Sequence, residues 1–209
     1  MARTRAEDYD DKRALIFERA AELFAESGFE RASIADLAGR CRASKSWIYH
    51  YFPSKEAILY GILMAHMQTL LAAAADALAA AGPPHAQLRR LLRALIAIYV
   101  GARSKQIVLL TELDRLPPDE QDEIRALERR LVDMVAGLLV RLDPQAMSAM
   151  PVRTKPLTMM LFGMINWTFT WYRAEGALAP QQLADLAADL MLGGLEGGAP
   201  GRAGVARPT

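Results

Sequence analysis

Residues 29–58, FERASIADLAGRCRASKSWIYHYFPSKEAI, decide the fold of this chain. Ser33 precedes a short helical pattern at 34–40, and Ser44 precedes a second one that ends before Pro53. Serine favours the N-cap of a helix, and proline disfavours a helical residue before it. Only three residues separate the two patterns, so the stretch predicts a helix-turn-helix. Its predicted buried residues are Ile34, Leu37, Ala38, Ile48 and Phe52.

The second short helix carries side chains suited to contacting DNA. A helix-turn-helix lays its second helix in the major groove, where each base pair displays its own pattern of donors and acceptors. Ile48 is the only purely aliphatic residue of this helix, and most of the others can hydrogen-bond, pair with phosphates or stack. Residues 31–55 also carry five basic side chains against one acidic, which fits an anionic partner. Short helix pairs occur in many bundles as well, so the pattern alone leaves a purely structural role open.

Helical patterning continues along nearly the whole chain, and no stretch has the period-2 alternation of a strand. A first helix at 11–27 ends at Gly28, with Leu15, Ile16, Ala20, Leu23 and Phe24 on its apolar stripe. A long helix begins at Ser54 and ends near Ala81. Proline and glycine separate the later predicted helices, which are 85–102, 104–115, 118–141, 154–175 and 180–193. The predicted fold class is therefore all-α.

Composition excludes several classes of protein. The 209 residues are 52% apolar with a net charge of +1, and the single cysteine, Cys41, excludes a disulfide framework within the chain. The first residues lack the apolar run of a secretory signal. The uncharged stretch 156–172 contains Asn166 and three threonines, which is too short and polar for a membrane span. We therefore expect a cytoplasmic protein that does not contact a membrane.

The helix-turn-helix resembles the amino-terminal domain of the tetracycline-repressor (TetR) family, from about Leu15 to Leu63. The residues that carry the resemblance are Phe29, Ser33-Ile34, Leu37-Ala38, Ser44-Lys45 and Ile48 to Glu56. The resemblance implies a homodimer that binds a palindromic operator in double-stranded DNA. It implies a flexible arm at 1–10, a three-helix DNA-binding domain at 11–56 and a larger helical effector-binding and dimerisation domain at 57–194. The glycine- and proline-rich segment 195–209 is predicted to be a disordered tail.

The same resemblance assigns the DNA contacts position by position. Phosphate contacts are expected from Ser33, Tyr49, His50 and Lys55. Base-edge contacts are expected from Lys45, Ser46 and Trp47, and Ser44 and Tyr51 complete the set.

The chain departs from the family's pattern at two positions in this region. Arg42 stands where the turn usually carries glycine, and a side chain in a left-handed turn costs on the order of 1 kcal/mol. We also expect Arg42 to add a phosphate contact. Trp47 is large where many relatives have a small residue, so the operator sequence cannot be transferred from a relative.

The second half of the chain resembles a TetR subgroup that senses acyl-coenzyme A thioesters. Gly163 to Thr168, Trp171 to Arg173 and the segment around Gly176 carry this resemblance. It implies an acyl-CoA effector, with phenylacetyl-CoA as first choice and a fatty acyl-CoA as second, and no cofactor. Residues 77–111 contain basic side chains and no carboxylate, which suits the CoA phosphates or else forms a solvated face. The candidate contacts are the basic Arg89, Arg93, Arg103 and Lys105, and the pocket residues Met64, Met67, Tyr99, Phe162, Asn166, Trp167 and Trp171.

Two alternatives to this interpretation differ in strength. An enzyme is the weaker one, because the three histidines are scattered and the chain has no metal-ligand spacing and no Gly-x-Ser-x-Gly. The stronger rival keeps the fold but makes the effector a drug-like apolar ligand, as in regulators of efflux. The apolar helix at 157–173 can also serve as ordinary core and dimer contact. In the favoured mechanism, the effector binds the DNA-incompetent form of the dimer more tightly than the competent form.

Overall fold

The computed structural model describes residues 2–197 of the chain, and this part is helical without strands. This confirms the predicted all-α class. The helices are α1 Ala2–Ser27, α2 Ile34–Arg40, α3 Lys45–Tyr51, α4 Lys55–Ala79, α5 Pro84–Gly101, α6 Arg103–Glu112, α7 Pro118–Leu142, α8 Pro144–Ala149, α9 Thr154–Asn166, α10 Thr168–Trp171 and α11 Pro180–Gly197. Short 3-10 turns at Leu113–Arg115 and Pro151–Arg153 follow α6 and α8.

Two compact units make up the chain. Unit 1 contains Met1–Thr69 and Ala102–Glu128, and unit 2 contains Leu70–Gly101 and Arg129–Thr209. Helices α4 and α7 each contribute residues to both units. The units are therefore discontinuous in sequence, and the predicted domain boundary between residues 56 and 57 stays a prediction.

Unit 1 is built around the apolar face of α1. Gly28 ends this helix with a positive φ of 78°, a conformation that costs glycine little. The buried residues of the helix-turn-helix are Leu37, Ala38, Ile48 and Phe52, as predicted, and they join Ile16, Ala20 and Phe24 of α1. Two predicted members differ, because Ile34 is only partly buried and Leu15 is 41% exposed.

Unit 2 is organised by the packing of α5 against α11. Helix α5 buries a row of large aliphatic side chains, Leu88, Leu91, Leu92, Leu95 and Ile96. Helix α11 buries Leu183 together with the small residues Ala184, Ala187 and Ala188. Large side chains on one helix facing small ones on the other allow the two helices to pack closely.

Several predicted element bounds were wrong. Helix α1 begins at Ala2, whereas the first helix was predicted to begin at residue 11, so residues 2–10 are helical; the flexibility of the arm stays a prediction. Helix α11 runs to Gly197 and includes 195–197, whereas the rest of the predicted tail, 198–209, lies outside the described residues. Helix α8 was not predicted.

The predicted helix 154–175 is interrupted at Trp167. Helix α9 ends at Asn166, and α10 covers only Thr168–Trp171. The Thr168 hydroxyl donates to the Ile165 carbonyl at 2.6 Å, which offers that backbone oxygen a side-chain partner. Threonine and aromatic residues, which propagate a helix poorly, fill this stretch.

Helix α4 contains a longer uncharged run, 57–75, than the stretch considered in the sequence. By length and composition it is the one continuous helix among residues 2–197 that could cross a membrane. Half of its most apolar window is buried, and Ile58, Leu59, Ile62 and Leu63 are fully enclosed in the protein. A core helix has these properties.

Candidate nucleic-acid interface

Two serine caps define the helices of the helix-turn-helix. The Ser33 hydroxyl accepts a hydrogen bond from the Asp36 amide, and the Asp36 carboxylate accepts from the Ser33 amide, each at 3.1 Å. The Ser33 hydroxyl also donates to the Asp36 carboxylate, at 2.6 Å. The pKa of Asp36 is lowered in this reciprocal capping box, because the Ser33 hydroxyl and the Ser33 amide both donate to the ionised carboxylate. The Ser44 hydroxyl accepts from the Trp47 amide at 3.1 Å and caps α3. Two of the three serines predicted to contact DNA therefore also cap helices.

The turn between α2 and α3 has the left-handed backbone predicted for it. Arg42 has a φ of 52° and, among the described residues other than glycine, is the one with a positive φ. The Ala43 amide donates to the Ala38 carbonyl at 2.9 Å and closes the turn. Arg42 is exposed, so its side chain is available to a ligand outside the protein.

An open groove of about 500 Å³ lies beside the start of α3 in unit 1. Four of the predicted DNA contacts line it, namely Ser33, Lys45, Tyr49 and Lys55. Tyr49 is 52% exposed, and Lys45 is exposed as well. The structure therefore brings these four residues from three helix starts to one concave surface.

The basic residues of 31–55 divide into two sets in space. Arg40 pairs with Glu26 at 2.6 Å, and Arg31 donates to the Ser27 carbonyl at 2.6 Å. Arg42 and Lys45 instead point outward. The sequence predicted one basic island, but the fold engages Arg31 and Arg40 with groups of the protein and leaves Arg42 and Lys45 exposed.

Lys55 has a structural role that the sequence did not predict. Its ammonium group donates to the carbonyls of Phe29 and Ala32, at 2.8 and 3.0 Å, and lies 4.2 Å from the centre of the Phe29 ring. A lysine has three donors, so two bonds leave one for a phosphate. The phosphate role of Lys55 stays a prediction.

The aromatic residues of α3 form a partly buried cluster. Trp47 and Tyr51 have ring centroids 4.9 Å apart, and His50 meets Tyr51 edge-on at 5.0 Å. His50 and Ser46 are exposed, whereas Trp47 and Tyr51 are half-buried. The sequence missed a further member, Tyr9 of α1, whose ring lies 5.0 Å from that of Tyr51.

Comparison with known proteins agrees with this geometry. The family profile described as "Bacterial regulatory proteins, tetR family" matches residues 16–61, and the profile "Tetracyclin repressor-like, C-terminal domain" matches residues 81–195. The second match alone covers more than half of the chain. The chain belongs to the TetR family. It is thus a TetR-type transcriptional regulator with a helix-turn-helix that binds DNA.

Solved TetR structures resemble the whole fold. A TetR-family regulator from Bordetella parapertussis is 39% identical, with a TM-score of 0.83 over 86% of this chain and 93% of that one. AibR in complex with isovaleryl coenzyme A and operator DNA is 26% identical, with a TM-score of 0.73 over 86% of this chain and 97% of that one.

One curated relative matches over a much shorter stretch. The uncharacterised regulator YuxN of Bacillus subtilis is 45% identical over 53 residues, which are 25% of this chain and 18% of that protein. This match covers less than a fifth of the relative's length.

Two of the basic residues predicted to bind the effector, in the stretch 77–111 of this TetR protein, form ion pairs with carboxylates from a distant part of the sequence. On α5, Arg93 makes two 2.8 Å bonds to Asp185 of α11, which lower the pKa of that carboxyl, and Arg89 pairs with Asp189. Residues 77–111 contain no acidic side chain, but the folded chain places acidic side chains of α11 beside them. Its binding of CoA phosphates stays a prediction, and it requires Arg89 and Arg93 to exchange these partners.

The other basic residues of the stretch are engaged as well. Arg90 donates to the carbonyls of Ala80 and Ala81, where α4 ends in unit 2. Lys105 pairs with Glu18 at 2.7 Å in unit 1. Arg103 is exposed and has an interaction of its own.

The predicted apolar effector residues are divided between the two units. Met64 and Met67 lie in unit 1, with Met67 buried and Met64 half-buried. Tyr99 and Phe162 are buried in unit 2, and Asn166 is half-buried with a partner of its own. Trp167 and Trp171, by contrast, are 64% and 55% exposed.

A buried polar pair in unit 1 was missed by the sequence analysis. The His66 Nε2 and Gln106 Oε1 atoms lie 2.8 Å apart, and both side chains are almost fully buried. Burial lowers the pKa of His66, with the Lys105 charge adding to the effect, although the bond to Gln106 opposes it. Spacing along the chain gives no signal for such a contact, because 40 residues separate the partners.

Proposed function

We propose that this TetR protein is a ligand-responsive repressor that works in the cytoplasm as a homodimer on a palindromic operator. A small effector, an acyl-CoA thioester, releases it from the DNA. The observation that carries the DNA-binding part is the groove in unit 1, where Lys45 and Tyr49 of α3 project outward beside Ser33. A helix of this kind enters the major groove, with phosphate contacts positioning it and base contacts giving specificity.

The DNA-binding part is tested with an operator selected from a pool of random duplexes. Wild-type protein should select a palindrome whose half-sites lie one helical turn, about 34 Å, apart. Lys45→Ala should weaken binding to this operator, because it removes an outward cation from α3. Leu110→Ala is the matched control, since Leu110 is exposed on α6 of the same unit. If Lys45→Ala and Tyr49→Ala both bind as wild type, α3 is not the DNA-binding helix.

The homodimer is supported by exposed apolar side chains in unit 2. These side chains are Met159 and Met160 on α9, Trp167 between α9 and α10, Trp171 on α10, and Leu186 and Leu190 on α11. Apolar side chains at this density on helices α9, α10 and α11 mark a protein contact rather than ordinary surface. A second copy of the chain would cover them symmetrically.

Light scattering after gel filtration tests this surface. Wild-type protein should have the mass of a dimer, and Leu190→Glu should have that of a monomer, because it buries an unpaired charge at the contact. Val140→Glu, at an exposed position of α7, is the control and should stay dimeric. A dimeric Leu190→Glu protein would place the contact elsewhere.

The acyl-CoA effector is supported by similarity to AibR, whose structure holds isovaleryl coenzyme A. Calorimetry on the protein without DNA tests it, using phenylacetyl-CoA, a fatty acyl-CoA, isovaleryl-CoA and free CoA. One thioester should bind more tightly than free CoA. Equal affinity for all four compounds would show that the protein does not recognise the acyl group. No binding of any of them would exclude acyl-CoA thioesters as the effector.

The ion pair between Arg93 and Asp185 allows a sharp test of the predicted phosphate contact. If Arg93 binds CoA phosphates, Arg93→Gln weakens thioester binding, whereas Asp185→Asn frees the guanidinium and strengthens it. If Arg93 serves only the pair, neither variant changes thioester affinity. Only the first outcome includes tighter thioester binding by Asp185→Asn, which a general loss of stability cannot imitate.

A drug-like apolar effector is the second candidate. The pairing of Arg89 and Arg93 with carboxylates of α11 favours it, because an unpaired basic surface was the feature that argued for a CoA thioester. The same calorimetry with hydrophobic cations and neutral aromatic compounds tests this candidate. Binding of these compounds without binding of any thioester would establish it.

A further inference from the structure

Tyr51 lies at the centre of an aromatic cluster that joins α1 to α3. Its ring centroid is 4.9 Å from that of Trp47 and 5.0 Å from that of His50, both on α3. The third neighbour is Tyr9 of α1, at 5.0 Å and tilted by 38°. Tyr9 precedes the part of the chain that matches the family profile, which begins at residue 16.

The cluster accounts for the burial of Trp47. Residues four apart share one face of a helix, so Trp47 and Tyr51 lie side by side along α3. Trp47 is half-buried, although its neighbours Ser46 and Tyr49 are exposed. The Trp47 indole thus packs beside the Tyr51 ring, and the Tyr51 ring packs beside that of Tyr9.

Arg13 makes a further contact with Tyr9, through its guanidinium group. Its guanidinium carbon lies 5.9 Å from the centre of the Tyr9 ring and 5.1 Å from that of Phe52. Phe52 is buried and follows the last residue of α3. Cation–π contacts of this length hold a side chain in place. One residue earlier along α1, Lys12 and Asp8 pair at 2.6 Å.

We propose that Tyr9 is a positioning residue for DNA recognition. It fixes the Tyr51 ring and, through that ring, the Trp47 indole in the orientation that meets base edges. The proposal rests on the proposed function, in which α3 enters the major groove. It makes the first turns of α1 a determinant of base preference, although this segment lies outside the helix-turn-helix itself.

The test compares Tyr9→Leu with Tyr9→Phe in the full-length protein, with Leu15→Ala on α1 as the control. Each variant is measured against the selected operator, every single-base-pair change in one half-site, and a scrambled duplex. Tyr9→Phe keeps the ring and should retain the wild-type base preference, as should Leu15→Ala. Tyr9→Leu should lose about 3- to 10-fold of the discrimination at one or two base pairs, the size expected for an aromatic pair. Its affinity for the scrambled duplex should not change.

A double variant tests whether Tyr9 affects base discrimination through Trp47. Trp47→Ala should lose discrimination at the same base pairs, and adding Tyr9→Leu to it should cause no further loss. Tyr51→Leu breaks the same link at its centre. Because Tyr51 is itself a predicted DNA contact, a loss of discrimination in this variant has two explanations, but an unchanged base preference would overturn the proposal even if Tyr9→Leu fails to fold.

Three outcomes would overturn the proposal, and they are distinct from failure of the proposed function. Unchanged base preference in the Tyr9→Leu or Tyr51→Leu protein removes the positioning role. A uniform loss of affinity that Tyr9→Phe shares assigns the Tyr9 hydroxyl to a phosphate instead. A Tyr9→Leu loss that adds to that of Trp47→Ala separates the two residues. If Lys45→Ala and Trp47→Ala both keep wild-type operator binding, the proposed function itself fails.

Discussion

Gly61 is a point of close approach between α4 and α1, and replacing it with alanine should destabilise unit 1. A Cβ atom on Gly61 would lie 2.4 Å from Cζ and 2.7 Å from Cε1 of Phe17. These distances are far below van der Waals contact, so the Phe17 ring must move. That ring packs 5.0 Å from the ring of Phe52, and its displacement disturbs the residue that follows α3.

The magnitude follows from two opposing contributions. Alanine in place of glycine within a helix gains roughly 0.8–1.0 kcal/mol of intrinsic propensity. An extra methyl group forced into a packed contact costs roughly 1–3 kcal/mol. Gly39 of α2 provides the control, because a Cβ there meets no atom within 4 Å. Gly39→Ala should therefore stabilise the protein, and Gly61→Ala should be less stable than Gly39→Ala by about 1–3 kcal/mol.

Thermal unfolding at one fixed protein concentration measures this difference, since the stability of an oligomer depends on concentration. Each kcal/mol corresponds to roughly 2–4 °C in Tm for a chain of this size. Phe17→Ala removes the clashing ring, and in that background Gly61→Ala should stabilise as Gly39→Ala does. Equal stabilisation by Gly39→Ala and Gly61→Ala in the otherwise wild-type protein would refute the close approach.

Three further predictions concern unit 1. Arg42 has a φ of 52°, so Arg42→Val should lower the free energy of unfolding by roughly 1–2 kcal/mol and Arg42→Gly should not; equal unfolding curves for the two variants would contradict the left-handed turn. Ser44→Ala should cost about 1 kcal/mol in urea unfolding through loss of the α3 cap, whereas Ser46→Ala should cost much less, because Ser46 is exposed on α3 and caps no helix. Burial lowers the pKa of His66 in the folded protein below the value of 6.5 that the residue regains on unfolding. Below about pH 6.5 the unfolded chain therefore binds more protons at His66 than the folded protein does. Stability should therefore fall as the pH drops below about 6.5, by up to about 1.4 kcal/mol per pH unit, and urea unfolding at pH 7.5 and 5.5 should show a smaller drop in His66→Gln than in wild type.

Local signals made the helix-turn-helix predictable from the sequence. Ser33, Ser44 and Pro53 set the ends of two short helices through interactions that span only a few residues, and the structure confirms both helices. The left-handed turn at Arg42 followed instead from the family resemblance, because Arg42 stands where the turn usually carries glycine. The same local reasoning was wrong at Trp167, because a threonine hydroxyl and poor helix formers interrupt a pattern that looks continuous in hydropathy alone.

The electrostatic part of the candidate site was less predictable. Arg93 and Asp185 are 92 residues apart, so a charge count in a short window cannot find their pairing. A signal was nonetheless present, since Arg89 and Arg93 are spaced by four residues and so are Asp185 and Asp189. Equal spacing on two helices that pack antiparallel places the charges in register. The role of Lys55 had no such signal, because its partners are backbone carbonyls.

We propose that an acyl-CoA thioester releases this TetR protein from its operator. Fluorescence anisotropy of a labelled operator duplex tests it directly, with phenylacetyl-CoA, a fatty acyl-CoA, free CoA and free phenylacetate as titrants. One thioester should lower the anisotropy to that of free DNA, whereas free CoA and the free acid should not. Tight operator binding that none of the four compounds changes would contradict it.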